Sequence, residues 1–566
     1  MKRTVLILMS SLFFAISTFS QSGNFGDNLT WSFSPEGTLI ISGTGAMPNY
    51  AIVNTPWHSY RSDITSVIIQ EGVTTIGDNT FSDCRELLSV SIPDGVTIIG
   101  DDAFANCDML NTINIPDGVM RIGRHAFEFC SDLLSMYIPE SVTSIGSYAF
   151  NYCSYLEITG GENITEVEGG ARTFRDTKWY RDQPQGLVYM GQVLLTYKGV
   201  SMPADITDVK EGTVSIAEGA FMENNDLKSI HLPVSITHIG RNAFRECSQM
   251  TTITGAENIT RVDPYCFYDN PWYDNLSEEF NYLGYVLLKY DGTDTEITNI
   301  KQGTTQIAQG VFKGNMNITS VTIPNSVTAI GESAFEGCTG LSSIILPKNT
   351  ELIEYAAFKG CTGLTSMTVK AETPPHLTYD DVFDNINKAI PVFVLATSID
   401  AYNNAWCWSD FTNFQALQTF TLSFNTQDGS DVAAQTVISG ELATAPVDPT
   451  KEGYIFIGWY KDESCTEAWD FDIETVNSDI TLFAKWEDAN PTCQQGISDN
   501  KISVYTCCGN VVVRCNSSEI ITIYDFLGMQ VKQVVAQDNE TIIPLLQGTY
   551  IVKVGKATFK VISGSK

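Results

Sequence analysis

One spacing governs this sequence. Phe81, Phe104, Phe127 and Phe150 follow one another at intervals of 23 residues, and Ile76-Gly77, Ile99-Gly100, Ile122-Gly123 and Ile145-Gly146 keep the same step. So do Cys84, Cys107, Cys130 and Cys153. Between them run Leu87-Val90-Ile92, Leu110-Ile113-Ile115 and Leu133-Met136-Ile138, closed by Pro93, Pro116 and Pro139. The cycle resumes at Phe221 and Phe244, and again at Phe312, Phe335 and Phe358. Many slots holding one period together define an internal repeat. Leu-x-x-Ile-x-Ile-Pro predicts a short strand with alternate side chains buried, ended by a proline that cannot donate to a ladder. Val-x-x-Ile-Gly then turns the chain, and Ala-Phe supplies a second buried wall. About six apolar side chains recover less free energy than ordering a whole repeat costs. One repeat therefore cannot fold alone, and the repeats must stack into a solenoid with a parallel sheet.

A longer period lies above the short one. Phe81, Phe174 and Phe267 are 93 residues apart, and Trp179-Tyr180 and Trp272-Tyr273 share that offset. Gly191 and Gly284, the Val-Leu-Leu runs at 193–195 and 286–288, Tyr197 and Tyr290, and Gly199 and Gly292 share it too. Two aromatic inserts, near 175–200 and 268–293, thus replace a repeat at equivalent places. They read as hairpin-like strands around a turn, whose aromatics are either structural or a ligand surface.

Seven of the 14 cysteines occupy one repeat slot: Cys84, Cys107, Cys130, Cys153, Cys247, Cys338 and Cys361. Stacked strands about 4.8 Å apart lie within disulfide range. Equivalent side chains point in parallel, however, and the same slot holds Asn224, Asn270, Asn315 and Thr177, none of which can be half of a bridge. The expectation is a buried ladder of small groups bonded to backbone. Cys493, Cys507, Cys508 and Cys515 cluster near the C-terminus, where one or two disulfides are expected. No Cys-x-x-Cys pair or nearby histidine supports a metal there.

The 23-residue unit resembles the BspA-like (Treponema pallidum-type) leucine-rich repeats of bacterial surface proteins. Asp27-Asn28-Leu29-Thr30-Trp31, the run Gly37 to Met47, Pro56-Trp57 and Tyr60-Arg61 resemble the cap that precedes such arrays. The resemblance implies a leucine-rich-repeat solenoid over 64–370 with a β cap at 21–63. A second cap at 371–416 is expected to close the apolar end with Trp406, Trp408 and Phe411. From Phe420 to Trp486, the pattern Leu422-x-Phe424, Gly453-Tyr454-x-Phe456-x-Gly458-Trp459-Tyr460, Trp469-x-Phe471 and Leu482-Phe483-Ala484-x-Trp486 resembles a Listeria–Bacteroides repeat module, a small β-grasp-like unit spanning 420–487. Trp459 and Trp486 read there as core and turn residues. After a linker, Ile520 to Asp525, Leu527-Gly528 and Gly548 to Val554 resemble a type IX secretion-like sorting domain, a β-sandwich over 496–566.

Charge narrows the partners. The chain carries 33 Lys+Arg against 66 Asp+Glu, a formal net charge of −33, which repels nucleic acid and anionic membrane surfaces. Met1-Lys2-Arg3, an apolar stretch and Thr18-Phe19-Ser20 read as a signal peptide over 1–20, with Gln21 as the mature start. No apolar run is long enough to span a bilayer. Catalytic signatures are lacking: there are five histidines and no His-Glu-x-x-His, Gly-x-Ser-x-Gly or phosphate-cradling loop. No catalytic residue, metal ligand or cofactor is expected; His231 and His238 share one repeat but read as a surface and a pre-core residue.

What remains is the strand face that looks out of the solenoid. Its outward slots are Ser89, Ser91, Asn111, Thr112, Asn114, Ser135, Tyr137, Lys228, Ser229, His231, Thr319, Ser320, Thr322, Ser342 and Ser343. These small hydrogen-bonding groups, with Trp179, Tyr180, Trp272 and Tyr273 of the inserts, are the candidate binding residues. The expected protein is monomeric, bacterial, and secreted or associated with the cell surface or outer membrane. It is expected to bind an extracellular protein or glycan without catalysis. The alternatives are a glycan-binding or hydrolytic accessory, and a structural spacer displaying the C-terminal modules.

Overall fold

The computed structural model describes residues 21–488 except Ile52, and 502–563 except 508–509, 516–518, 526–527, 537–539, 546–547 and 556. The leader segment, Cys493, Cys508 and the Cys507 side chain lie outside the described residues. The chain divides into two compact units, Met1–Ala416 and Leu417–Lys566.

The first unit is a β-solenoid of about fifteen turns, and each turn has three walls. Alternation in the Leu-x-x-Ile-x-Ile segments builds the first. Ser66–Ile69, Ser89–Ser91, Thr112–Ile113, Ser135–Ile138 and Glu157–Gly160 pair in parallel, burying Val67, Val90, Ile113 and Met136. The antiparallel strands Gln21–Phe25, Leu29–Phe33 and Thr38–Gly43 continue this sheet at its N-terminal edge. They cover an edge that would otherwise template association.

The second wall is a column of two-residue strands, Ile98–Ile99, Arg121–Ile122, Ser144–Ile145 and Glu166–Val167 among them, stacked in parallel. The glycine after each isoleucine is a spacing requirement. A Cβ on Gly123 would lie 2.5 Å from the carbonyl carbon of Gly100, one rung away.

The third wall carries the phenylalanines. Phe81, Phe104, Phe127, Phe150 and Phe174 stack with centroids 5.3 to 5.8 Å apart. Their amides donate to the next rung: Phe81 N–H to Ala103 O, Phe104 to Ala126 and Phe127 to Ala149, each at 2.8 Å. The residues two before and two after Phe81, Phe104, Phe127 and Phe150 are left-handed, as at Asp102 (φ 55°), Asn106 (φ 58°), His125 (φ 52°) and Phe129 (φ 60°). Two flattened left-handed corners per rung let the backbone bond across rungs without a regular strand. At the N-terminal end of the stack Trp57 lies 5.8 Å from Phe81 and donates Nε1–H to Thr80 O.

The cysteine slot is a thiol ladder. Cys107 Sγ donates to Phe81 O, Cys130 to Phe104 O and Cys153 to Phe127 O; Cys247, Cys338 and Cys361 repeat the pattern with Phe221, Phe312 and Phe335, at 3.0 to 3.3 Å throughout. Asn270 does the same to Phe244 O through Nδ2. All seven cysteines of the slot are unbridged and buried, and burial pushes the thiols of Cys84, Cys247 and Cys361 up to about 12. Cys515 is also buried and unbridged. Asn224 and Asn315 follow the inserts, where no phenylalanine carbonyl stands one rung back. Their Oδ1 atoms accept local backbone N–H groups instead.

Each insert has a short helix and then a hairpin. Thr177 and Asn270 cap helices Lys178–Asp182 and Pro271–Asp274 through side-chain oxygens. The hairpins are Gly186–Met190 with Val193–Lys198, and Phe280–Leu283 with Val286–Tyr290. The aromatic pairs expected on hairpin-like strands therefore sit on the helices. Gly191 and Gly284 make the tight turns, and a Cβ on Gly191 would meet Gly161 O at 2.5 Å.

At the C-terminal end Phe383 adds one more ring to the stack, 6.0 Å from Phe358. Trp408 and Phe411 cover Phe383, and Trp408 Nε1 donates to Pro375 O at 3.0 Å. Trp406 was expected in this plug but is 58% exposed. The chain turns at Cys407, φ 60°, and sends only Trp408 inward. Tyr402 takes the remaining core position, its hydroxyl donating to Ala371 O.

In the second unit, Thr419–Asn425 and Ile480–Asp488 run parallel at the centre of a four-stranded sheet. Gln435–Ile438 and Tyr454–Tyr460 flank them antiparallel. Trp459 is in that module's core, and half-buried Trp486 donates Nε1–H to Thr426 O at 2.8 Å. The C-terminal segment forms two antiparallel sheets, one of three and one of four strands. Val511, Val513 and Ile543 of one sheet share a core with Ile521, Ile523 and Val552 of the other, making a β-sandwich.

Candidate functional site

Parallel register turns the outward slots of the long strands into columns. Ser66, Ser89, Thr112, Ser135 and Glu157 align across five rungs. Ser91 and Tyr137 lie in the neighbouring column beside Ile68 and Thr159. Rungs are about 4.8 Å apart, so the face is a regular lattice of short polar groups rather than a pocket. All fifteen candidate residues are exposed or half-exposed.

They fall into blocks that differ in what the side chains already do. Ser229 Oγ donates to Asp205, Thr319 Oγ1 to Thr295 O, and Ser342 Oγ to Thr319 O. These hydroxyls have spent their protons on the solenoid itself, and His231 Nδ1 shares a hydrogen bond with Thr254 Oγ1. In the N-terminal block, by contrast, Ser89, Ser91, Asn111, Thr112, Asn114, Ser135 and Tyr137 have no side-chain hydrogen bond among the described residues. An open depression of about 570 Å³ beside Ile68, Gln70, Ser91 and Asp94 adjoins this block.

Two features of the face were not anticipated from the sequence. Gly160 and Gly255 make room for the rings of Tyr137 and His231 on the preceding rung, since a Cβ would come within 2.8 Å and 2.7 Å of those rings. Exposed Ile68, Leu134 and Ile345 add apolar spots among the hydroxyls.

The insert aromatics face the core stack. Trp179 lies 4.8 Å from Phe174 and Trp272 lies 4.9 Å from Phe267, both tilted and half-buried. Tyr273 donates to Leu288 O, and burial pushes its phenol up to about 12. Lys198 Nζ donates to the carbonyls of Tyr180, Arg181 and Gln183, closing the first insert's helix.

The short-strand column has a different chemistry, one of ion pairs. His238 and Arg261 both bind Asp263, at 3.0 and 2.8 Å. Burial alone would raise the Asp263 carboxyl, but the charges and hydrogen bonds of His238 and Arg261 overcome it and hold the group at about 2. Arg241 pairs with Glu332 at 3.3 Å. Glu354, almost fully buried, goes the other way: burial and then the negative charge of Asp263 push it up to about 7. His231 and His238 stand on different walls, and no group of three or more His, Cys, Asp or Glu suited to a metal occurs among the described residues.

Fold and residue pattern together define a leucine-rich-repeat solenoid. The family described as BspA type leucine rich repeat region matches residues 57–178, 204–285 and 289–400, more than half of the chain, and the chain belongs to that family. Residues 420–485 match the Listeria-Bacteroides repeat domain, and 491–563 match a domain of unknown function, DUF6383. A protein of Evansella cellulosilytica named as a membrane protein is 48% identical over 71 residues, 12% of this chain and 11% of that one. Internalin H of Listeria monocytogenes is 39% identical over 70 residues, 12% of each chain. The chain thus spans about a tenth of the length of the curated relatives it matches. Among solved structures, a leucine-rich repeat protein of Eubacterium ventriosum is 23% identical, covering 60% of this chain and 94% of that one with a TM-score of 0.27. The Treponema pallidum leucine rich repeat protein is 20% identical, covering 43% and 86% with a TM-score of 0.20. Both repeat families are typical of bacterial surface proteins. No helix among the described residues is long and apolar enough to cross a membrane.

Proposed function

We propose that the solenoid is a secreted or surface-held scaffold that docks an extended extracellular protein on its outward strand face, without catalysis of its own. One observation carries this reading. Ser89, Ser91, Asn111, Thr112, Asn114, Ser135 and Tyr137 present exposed, unspent donors and acceptors on a rigid lattice, and a partner that meets them leaves no protein hydrogen bond to be broken first. The face is nearly neutral on a chain of charge −33, so a partner need not be basic to approach it. Half-spent hydroxyls at Ser229, Thr319 and Ser342 make the later blocks weaker candidates.

The test is binding to immobilised extracellular-matrix proteins and to glycan arrays, repeated with Thr112→Lys and Ser135→Lys. These exposed positions tolerate the change, so thermal stability stays within about 0.5 kcal/mol, while protein binding falls at least tenfold. Binding that both substitutions leave intact removes the face from the site. Glycan binding lost on Trp179→Ala or Trp272→Ala would favour a sugar-capturing role for the inserts.

We also propose that the C-terminal β-sandwich delivers the chain to the cell surface. A chain ending at residue 488 is then expected to be missing from the surface fraction of the producing cell, and unchanged surface display of that truncation sinks the idea.

A further inference from the structure

The two inserts interrupt the short-strand column in the same way but repair it differently. Before the second insert, Arg261 and Asp263 donate their N–H groups back to Thr237 and Ile239. This turns the N–H and C=O of Val262 toward the following rung. There the buried side chain of Gln306 meets both: Val262 N–H donates to Oε1 at 2.8 Å, and Nε2 donates to Val262 O at 3.1 Å. A primary carboxamide substitutes for the missing strand and pairs groups that would be costly to bury alone.

Before the first insert the backbone is arranged alike. Glu166 and Glu168 donate to Thr143 and Ile145, so the N–H and C=O of Val167 face the next rung, and Glu166–Val167 is the terminal strand of its sheet. The residue in the place of Gln306 is Ser215, each lying six before its repeat phenylalanine (Phe221 and Phe312). Ser215 is too short for the task, and its hydroxyl is committed to Thr165 O at 2.8 Å. Where the second insert has an amide, the first has a cleft of about 220 Å³ walled by Glu166, Val167, Ser215, His238, Arg261 and Asp263.

We propose that this cleft binds a primary carboxamide, as carried by a glutamine side chain, paired with Val167 as Gln306 is paired with Val262. The chemistry is selective. A carboxylate would set a second acceptor against Val167 C=O, and a secondary trans amide holds its N–H and C=O on opposite sides, so neither makes both bonds. The site is on the short-strand column, apart from the outward face discussed above, and does not depend on it.

The full chain supplies its own control. Calorimetric titration with N-acetyl-L-glutamine methylamide is expected to show one site, with the glutamate counterpart at least tenfold weaker. Ser215→Gln places the amide in cis and removes the site, whereas Ser215→Ala leaves the cleft open and binding within twofold. Gln306→Ser opens the equivalent gap and raises the stoichiometry to two. A parallel titration with free L-glutamine distinguishes the sources: tighter binding of the free amino acid assigns the site to a metabolite, and tighter binding of the capped form to a peptide side chain. No binding at millimolar ligand, binding that Ser215→Gln leaves unchanged, or equal affinity for the glutamate analogue overturns the proposal. Should Ser215→Gln fail to fold, the glutamate comparison on the native chain and on Ser215→Ala decides alone.

Discussion

Phe127→Ala is expected to cost the solenoid about 3–5 kcal/mol, read as a shift of its urea transition to lower denaturant. Phe127 is fully buried between Phe104 and Phe150, with centroids 5.4 and 5.7 Å away and near-parallel rings. Truncation removes contacts on both faces at once. The Ala126 and Ala149 carbonyls that bond the neighbouring phenylalanine amides hold the rungs apart, so the walls cannot collapse into the space. Phe129, two residues on, is the matched comparison. It is 41% exposed, stacked 4.8 Å from Tyr152, and left-handed at φ 60°. Phe129→Ala should cost less than about 1 kcal/mol, because exposed stacking is a minor term. Equal losses at the two positions would mean that the buried stack is not what holds the rungs together.

Glu354→Gln is expected to stabilise the protein at pH 8 by about 2–3 kcal/mol and to do little at pH 4. Burial and the neighbouring Asp263 charge raise the Glu354 carboxyl from its ordinary 4.5 to about 7. A raised carboxyl binds its proton more tightly in the folded chain than in the unfolded one. Its favourable contribution is therefore complete below about pH 4.5 and is lost as pH rises to about 7. Glutamine stays neutral throughout and can still accept the Glu332 N–H that Glu354 Oε2 accepts at 3.2 Å. Asp263 works in the opposite direction: held at about 2, it contributes stability above its ordinary value of 3.8 that is lost only in strong acid. Thermal melts of wild type and variant between pH 4 and 8 check this, and parallel pH profiles would refute it.

Much of the solenoid was readable because each core slot answers a local demand that recurs every 23 residues. The thiol ladder followed from one observation, that asparagine and threonine share the cysteine slot. The left-handed corners left a trace of the same kind. The slot two before the phenylalanine holds Asn79, Asp102, Gly219, Asn242 and Gly310, and the slot two after it holds Asp83, Asn106, Gly314, Gly337 and Gly360. His125, Phe129, Tyr148 and Tyr152 hide that trace, since exposed cross-rung stacking rather than backbone preference suits them to the site. The Gln306 clamp and the Ser215 cleft were out of reach. Their partners lie 44 and 50 residues away across an insert, and no periodicity marks a slot whose two occurrences differ. Trp406 misled for a similar reason: composition placed an aromatic in the plug, while a single turn at Cys407 decided which one entered it.

Trp57 closes the first block of stacked rings and Trp408 the last, each anchored through its indole N–H to a backbone carbonyl. Within each uninterrupted block the rings, thiols and short strands are joined only to their counterparts one rung away, so nothing in that repeating core records how many rungs a block holds. Contacts such as Gln306 to Val262 and Arg241 to Glu332 reach farther and span the second insert. Length is therefore an inheritable variable that these bookends leave open. A gene can gain or lose whole 23-residue rungs by unequal recombination and still present the same two finished ends. Selection can in this way adjust the span of the molecule without first having to solve the fold again.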